Sequence, residues 1–180
     1  MPKIIPDIRE KILSSARNQL MTGGYAGLSL RRVADDCEIA LGTTYHYFSS
    51  KQELAVAVMA EDWSKEVNYL KDINPNETGE ETCIVQLFRS IKNFTALYDG
   101  ILLNHRSYSD TVEAMSLRHA NLVNEISASL DFLLHLYRYT ETESFTKLMA
   151  ECLYGAADGD TSEDDLKELV RIYIYARKHK

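Results

Sequence analysis

Apolar residues recur at helical spacing in three short blocks within the first fifty positions of this chain. Asp7 and Glu10 form a capping-box pattern before the first block, and Gly23 and Gly24 are expected to end it. Ser29 is a typical cap for the second block, and a break of three or four residues separates the second block from the third. This order of short helices indicates a helix-turn-helix.

The rest of the chain also has the helical period, and the alternation typical of strands is absent from the sequence. Eight glycines and three prolines are too few for a β-sandwich rich in turns. The sequence therefore predicts an all-α fold. Beyond the first three blocks, helices are expected at about 51–71, 80–98, 110–137, 140–155 and 163–177, with a short helix and a turn near 99–109 and a loop at 72–79.

Composition and charge narrow the class of protein. With 180 residues, 45% of them hydrophobic and 26% charged, the chain can bury a core without disulfides or a structural metal. Its net charge of −7 argues against an indiscriminate polyanion binder, but the charge is unevenly distributed. Residues 1–51 have a balance of +2 and the remaining residues a balance of −9. The asymmetry favours an N-terminal region that meets an anion.

Cysteines and histidines give no sign of a metal site or a cofactor, so we expect neither. The three cysteines are far apart in helical apolar patterns, which favours reduced core thiols. No run approaches the ~18 apolar residues of a membrane span, and the first residues lack a signal peptide's apolar segment. We therefore expect a cytoplasmic protein with no membrane partner. The residues considered are Cys37, Cys83, Cys152, His105, His119 and His135.

The third helical block has an unusual outward face. Gly, Thr, His and Tyr replace the Lys, Glu and Gln that a solvated helix prefers. Gly42 costs about 1 kcal/mol of helix stability relative to Ala, but it would let the backbone approach a phosphate closely. Ser50 and Glu53 form a capping-box pattern at the start of the next helix. Lys51 lies in the first turn of that helix, where backbone N–H groups also favour an anion. The outward residues are Gly42, Thr43, His46 and Tyr47, and the expected inward residues are Leu41, Thr44, Tyr45 and Phe48.

The stretch GGYAGLSLRRVADDCEIALGTTYHYFSSKQEL resembles the N-terminal domain of TetR-family transcription regulators. The resemblance covers about residues 7–60. It depends on many positions in register: Ser29, Arg31, Val33, Ala34, Ile39, Gly42, Thr43, Tyr45, Tyr47, Phe48, Ser50, Lys51 and Leu54.

The resemblance implies that residues 41–47 form a recognition helix in the major groove of DNA. It gives phosphate contacts to Thr43, Tyr45, Tyr47 and Lys51, and base contacts to Leu41, His46 and Arg31, with Gly42 allowing close approach and Ser29 capping the second helix. A different interpretation stays open for some of these residues. Tyr45 could pack in the core, and Arg31 and Arg32 could lie on a solvated face.

Three residues depart from the family pattern. Glu38 stands where the family has a turn glycine, and a glutamate at positive φ costs on the order of 1 kcal/mol. Ala40 replaces the usual Ser cap of the recognition helix, which loses about 1 kcal/mol. Thr44 stands where Leu or Ile is commoner. The turn is thus expected to be the least typical part of the motif.

The resemblance further implies two domains. Residues 1–52 would form the helix-turn-helix domain, and residues 53–180 a helical effector-binding and dimerisation domain. The last two helices would form a homodimer interface, and the apolar surface of the last one agrees with that. Its expected interface residues are Leu166, Leu169, Val170 and Tyr173. The expected effector-lining residues are Trp63, Phe88, Phe94, Tyr98, Met115 and His119, with core packing as the alternative for each.

Together these patterns predict a homodimeric regulator, a repressor, that a small-molecule effector releases from a pseudo-palindromic operator in double-stranded DNA. The alternative is the same fold controlled by a protein partner instead of a pocket ligand. An enzyme is not expected, because no side chains stand at catalytic spacing.

Overall fold

The computed structural model describes residues 7–103 and 108–178, and gives the backbone alone for 99–103 and 108–118. These described residues are helical and include no strand, which confirms the all-α prediction. The helices are α1 (Ile8–Gly27), α2 (Leu30–Asp36), α3 (Leu41–Tyr47), α4 (Lys51–Glu66), α5 (Glu80–Leu103), α6 (Tyr108–Leu136), α7 (Glu143–Asp158) and α8 (Glu163–Lys178), with a 3-10 turn at Asn68–Asp72.

The chain forms two compact units. The first unit extends to Asp62 and includes Tyr98–His119, and the second contains Trp63–Leu97 and the residues from Ala120 onward. The predicted boundary after residue 52 falls in the first turn of α4 and stays a prediction.

The first helix is interrupted where the sequence places its glycines. Gly24 has φ 61 and ψ −168, so the regular helix stops there before a last turn that reaches Gly27. The predicted capping box at Asp7 is wrong. Asp7 has φ 67 and makes no side-chain cap hydrogen bond among the described residues. An N-cap side chain needs an extended backbone to reach the N–H groups of the first turn, and Asp7 does not have one.

The second unit is built on α5, α6, α7 and α8. Its core includes apolar side chains from each of these helices: Leu87, Ile91, Ile126, Leu130, Ala150, Leu153, Leu166 and Val170. The last helix begins as predicted, because Ser162 Oγ accepts a hydrogen bond from the Asp165 N–H at 3.2 Å. Helix α4 ends at Glu66 rather than near Lys71, and the 3-10 turn takes up the residues that continue the apolar pattern.

None of the described helices is both long enough and apolar enough to cross a membrane.

Candidate nucleic-acid interface

Helix α2 is held at both ends by one buried side chain of α1. The amide of Gln19 accepts a hydrogen bond from the Ser29 N–H at 3.0 Å and donates one to Asp36 Oδ2 at 2.9 Å. Ser15 Oγ donates to the same carboxylate oxygen at 2.6 Å. These hydrogen bonds from Ser15 and Gln19 hold the pKa of Asp36 below its usual value. Ser29 also caps α2 as predicted, since its side chain accepts from the Arg32 N–H.

The turn from α2 to α3 has the two atypical features that the sequence predicts. Glu38 has φ 56, in the left-handed region where a glutamate costs on the order of 1 kcal/mol. Ala40 occupies the N-cap position of α3 with φ −65 and ψ 141, and no described side chain caps the helix there. The backbone therefore follows the helix-turn-helix path without the residues that favour it.

Helix α3 presents a continuous exposed face. Gly42 and His46 are exposed, Thr43 is half-buried, and Tyr47 is 39% exposed. A methyl group added at Gly42 would meet no described atom within 4 Å. The fold itself gives no reason for a glycine there, so this space is open to something outside the chain.

The prediction that Tyr45 turns inward is wrong. Its side chain is 52% exposed, beside the outward face. On the inner side, Thr44 is fully buried and Phe48 is 3% exposed. With only two turns, α3 buries a narrower stripe than its sequence pattern suggests. The Oγ1 atom of Thr44 has no hydrogen-bond partner among the described residues, which is costly for a buried hydroxyl.

The start of α4, in contrast, is strongly capped. Ser50 Oγ accepts from the Glu53 N–H at 3.0 Å, and Glu53 Oε2 accepts from the N–H of Ser49 at 2.7 Å and from its hydroxyl at 2.6 Å. The predicted capping box is therefore confirmed, with Ser49 as the second donor. These hydrogen bonds to Ser49 lower the pKa of the Glu53 carboxyl.

The ammonium of Lys51 lies against the end of α1. Its Nζ is 4.4 Å from the centroid of the Tyr25 ring and 3.4 Å from the carbonyl oxygen of Ala26. Arg31 and Arg32 are exposed on α2, and Arg32 Nη1 is 3.4 Å from the Gly27 carbonyl oxygen. Cationic side chains thus stand on α2 and α4, the elements on either side of α3.

Comparisons with known proteins agree with this geometry. The family described as "Bacterial regulatory proteins, tetR family" matches residues 12–58. The HTH-type transcriptional repressor KstR of Mycobacterium tuberculosis is 37% identical over 57 residues, which are 32% of this chain and 26% of that protein. The helix-turn-helix of this chain is thus similar to that of the TetR family.

Two longer matches concern the whole fold. The HTH-type transcriptional repressor AcnR of Corynebacterium efficiens is 24% identical over 164 residues, 79% of this chain and 81% of that protein. A solved structure of the multidrug binding protein EbrR complexed with imidazole has a TM-score of 0.55 at 20% identity, covering 93% of this chain and 89% of that one. The first curated relatives are matched over only about a quarter of their own length.

A polar cluster joins α1, α4 and α5 within the first unit. Arg17 of α1 donates from Nε to Asp62 Oδ1 at 2.7 Å and forms an ion pair with Glu61. The hydroxyl of Tyr98 donates to the other Asp62 oxygen at 2.8 Å. Burial lowers the pKa of Arg17, but the hydrogen bonds to Asp62 and Glu61 outweigh it and raise the pKa. Burial and the Asp62 charge raise the pKa of Tyr98, so its proton stays on.

The predicted effector-lining residues have different surroundings. Trp63, Phe88 and Phe94 are buried in the second unit, where the Trp63 and Phe94 rings form an edge-to-face pair with centroids 5.4 Å apart. The Nε1 atom of Trp63 has no hydrogen-bond partner among the described residues. His119 is half-buried, and Tyr98 is buried in the first unit. The side chain of Met115 lies outside the described residues.

The predicted dimer residues line a groove between α7 and α8, in the second unit. The groove has a volume of about 410 Å³. Leu166 and Val170 are 4% exposed, so the chain itself already buries them. Leu169 is 65% exposed and Tyr173 is half-buried, and the exposed apolar surface continues over Leu148 of α7. Ile172 and Tyr175, also 65% exposed, extend it along α8.

The sequence patterns do not predict the roles of Tyr25 and Gln19 in the helix-turn-helix. Both lie in or beside segments that the motif covers, but Tyr25 contacts Lys51, and Gln19 contacts Ser29 and Asp36, all distant along the chain. No local spacing signals such a contact. The polar Gln19 on the apolar stripe of α1, only 4% exposed, is the one sign that a tertiary partner is needed.

Proposed function

We propose that the protein is a DNA-binding transcription regulator, a repressor, that acts as a homodimer on a pseudo-palindromic operator. The observation that carries the proposal is the exposed face of α3. Its glycine, threonine, histidine and tyrosines contribute little to the fold, and it is flanked by cations on α2 and α4. Hydroxyl, imidazole and backbone groups of this kind recognise phosphates and base edges.

In this proposal Lys51, Tyr47, Tyr45 and Thr43 contact phosphates. Leu41, His46 and Arg31 reach base edges, Gly42 allows the backbone to approach, and Ser29 holds the start of α2. The two recognition helices of a dimer would read half-sites about one DNA turn apart. The exposed apolar surface of α7 and α8 supports dimerisation, because a patch of that kind on a single copy is costly in water.

Control by a small-molecule effector is the second part of the proposal. The buried indole N–H of Trp63, which has no acceptor among the described residues, supports a ligand that carries a hydrogen-bond acceptor. The Arg17, Asp62 and Tyr98 cluster supports the coupling, because Tyr98 of α5 is linked through Asp62 of α4 to α1 of the DNA-binding domain. A ligand that competes for the Tyr98 hydroxyl would loosen that link.

The test is binding to short duplexes selected by the wild-type protein from a random pool, and to the DNA upstream of its own coding region. Lys51→Ala should weaken binding to every sequence, by about tenfold for each half-site. It should also lower the slope of log affinity against log salt concentration by about 2 for the dimer, because each protomer loses one phosphate contact. Tyr47→Ala should weaken binding without changing that slope, because its hydroxyl is neutral.

The matched control is Lys71→Ala, which removes an exposed lysine on the 3-10 turn and should leave DNA affinity unchanged. If the selection enriches no sequence, or if Lys51→Ala and Lys71→Ala behave alike, the proposed interface is wrong.

A further inference from the structure

The position of Lys51 is unfavourable for the helix that carries it. Lys51 is the first residue of α4, where the helix dipole is positive and a cation is destabilising. The neighbouring Glu53 has the opposite charge and makes the capping contacts that the helix start favours. Helix stability therefore does not account for a lysine at this position, and its contacts lie elsewhere.

Two of those contacts are with the end of α1. The Nζ atom is 4.4 Å from the Tyr25 ring centroid, well within the ~6 Å at which an aromatic face attracts a cation. The Ala26 carbonyl oxygen adds a long hydrogen bond of 3.4 Å. Both partners follow Gly24, whose positive φ ends the regular part of α1 and sets the direction of the segment that carries them.

The two side chains of this contact differ in exposure. Tyr25 is 6% exposed, so its position is set by the core, while Lys51 is half-buried and its charge stays near the surface. A lysine side chain is flexible and loses much conformational freedom when it binds a phosphate. A fixed aromatic ring reduces that loss, because it restricts the ammonium before DNA arrives.

We propose that Tyr25 is a positioning residue for DNA binding, which acts through Lys51. Its ring face, helped by the Ala26 carbonyl, holds the ammonium beside the recognition helix, at the point where a phosphate of the duplex would lie. This inference rests on the proposed function, because it needs Lys51 to contact DNA. Tyr25 would thus contribute to DNA binding although its own side chain does not touch the duplex.

The experiment weakens the ring face without changing its shape. Position 25 is replaced by phenylalanine and then by phenylalanines with one, two and three ring fluorines. The fluorines progressively weaken the negative electrostatic potential of the ring face. Affinity is measured on the duplex selected by the wild-type protein, at several salt concentrations. Each series is made in the wild-type and in the Lys51→Ala background, and thermal unfolding is recorded for all variants.

With Lys51 present, affinity should fall stepwise, to about two- to fivefold below that of Tyr25→Phe, while the salt slope stays constant. In the Lys51→Ala background the series should be flat. A flat series in both backgrounds would overturn the proposal, and so would an equal fall in both, which would mean that the ring acts through the fold.

The failure of the proposed function would look different. In that case the wild-type protein would select no duplex, or Lys51→Ala would bind as tightly as the wild type. Either result would overturn the role of Tyr25 as well. A normal loss on Lys51→Ala with a flat fluorine series would overturn the role of Tyr25 alone.

Discussion

Helices α2 and α3 of the helix-turn-helix are each seven residues long, but the fold stabilises them very differently. Helix α2 has a serine cap, and the Gln19 amide contacts both of its ends. Helix α3 begins after Glu38 at positive φ. Among the described residues it has no capping side chain, and its buried Thr44 hydroxyl has no hydrogen-bond partner. Local strain is thus concentrated in the helix that faces outward, as is common at functional sites.

The two helices are therefore stabilised by different interactions. The position of α2 is set by hydrogen bonds within the chain, so it can serve as a fixed support. Helix α3 is held mainly by its inner side chains, and each of its three costs is of order 1 kcal/mol. In the proposed function, contacts with DNA offset part of these costs when the operator is bound.

The largest expected effect comes from removing the support of α2. Gln19→Ala should lower the free energy of unfolding by about 2 kcal/mol, because it leaves the Ser29 N–H without its buried acceptor and removes a donor from Asp36. Urea unfolding measures this, with Asn18→Ala, an exposed neighbour on α1, as the control. Equal effects of the two substitutions would mean that α2 is no better anchored than α3.

A gain of stability is expected at the turn before α3. Glu38→Gly should raise the free energy of unfolding by about 1 kcal/mol, because glycine adopts the observed φ of 56 without strain. Glu38→Ala removes the same charge but keeps the strain, so it should give no such gain. The difference in thermal stability between the two variants measures the strain of the backbone at position 38. A zero difference would mean that the positive φ of Glu38 does not strain the turn.

The smallest expected effect is a change in how stability depends on pH, and it comes from Asp36 of α2. Hydrogen bonds from Ser15 and Gln19 keep the pKa of Asp36 below that of the unfolded chain, which is about 3.9. The carboxylate therefore adds stability above that value, and the addition is lost as pH falls through the lower folded pKa. Asp36→Asn should make the acid end of the stability profile shallower. An unchanged profile would show that these hydrogen bonds do not favour the ionised form of Asp36 over the protonated form.

The sequence predicted best what depends on neighbouring residues. The Ser29 cap and the Ser50 and Glu53 capping box follow from a few positions in a row, and both are confirmed. The positive φ of Glu38 follows from the family resemblance and is confirmed as well. The inward side of α3 was predicted less well, because a two-turn helix leaves the flank that carries Tyr45 undecided.

Tertiary contacts could not be predicted in the same way. The positions of Gln19 and Tyr25 depend on how the end of α1 packs against α2 and α4. The spacing of residues along the chain does not predict that packing. The DNA, effector and dimer roles of individual residues stay predictions, since they concern partners outside the chain.

The open space around Gly42 has a consequence for how proteins of this kind diverge. Because the exposed side chain of His46 takes little part in the core, substitutions there should, in the proposed function, change which base sequence is recognised at little cost in folding. After gene duplication, a copy could therefore acquire a new target by drift on this one face. The support of α2 by Gln19 and the cap of α4 by Glu53 would meanwhile stay under selection for stability.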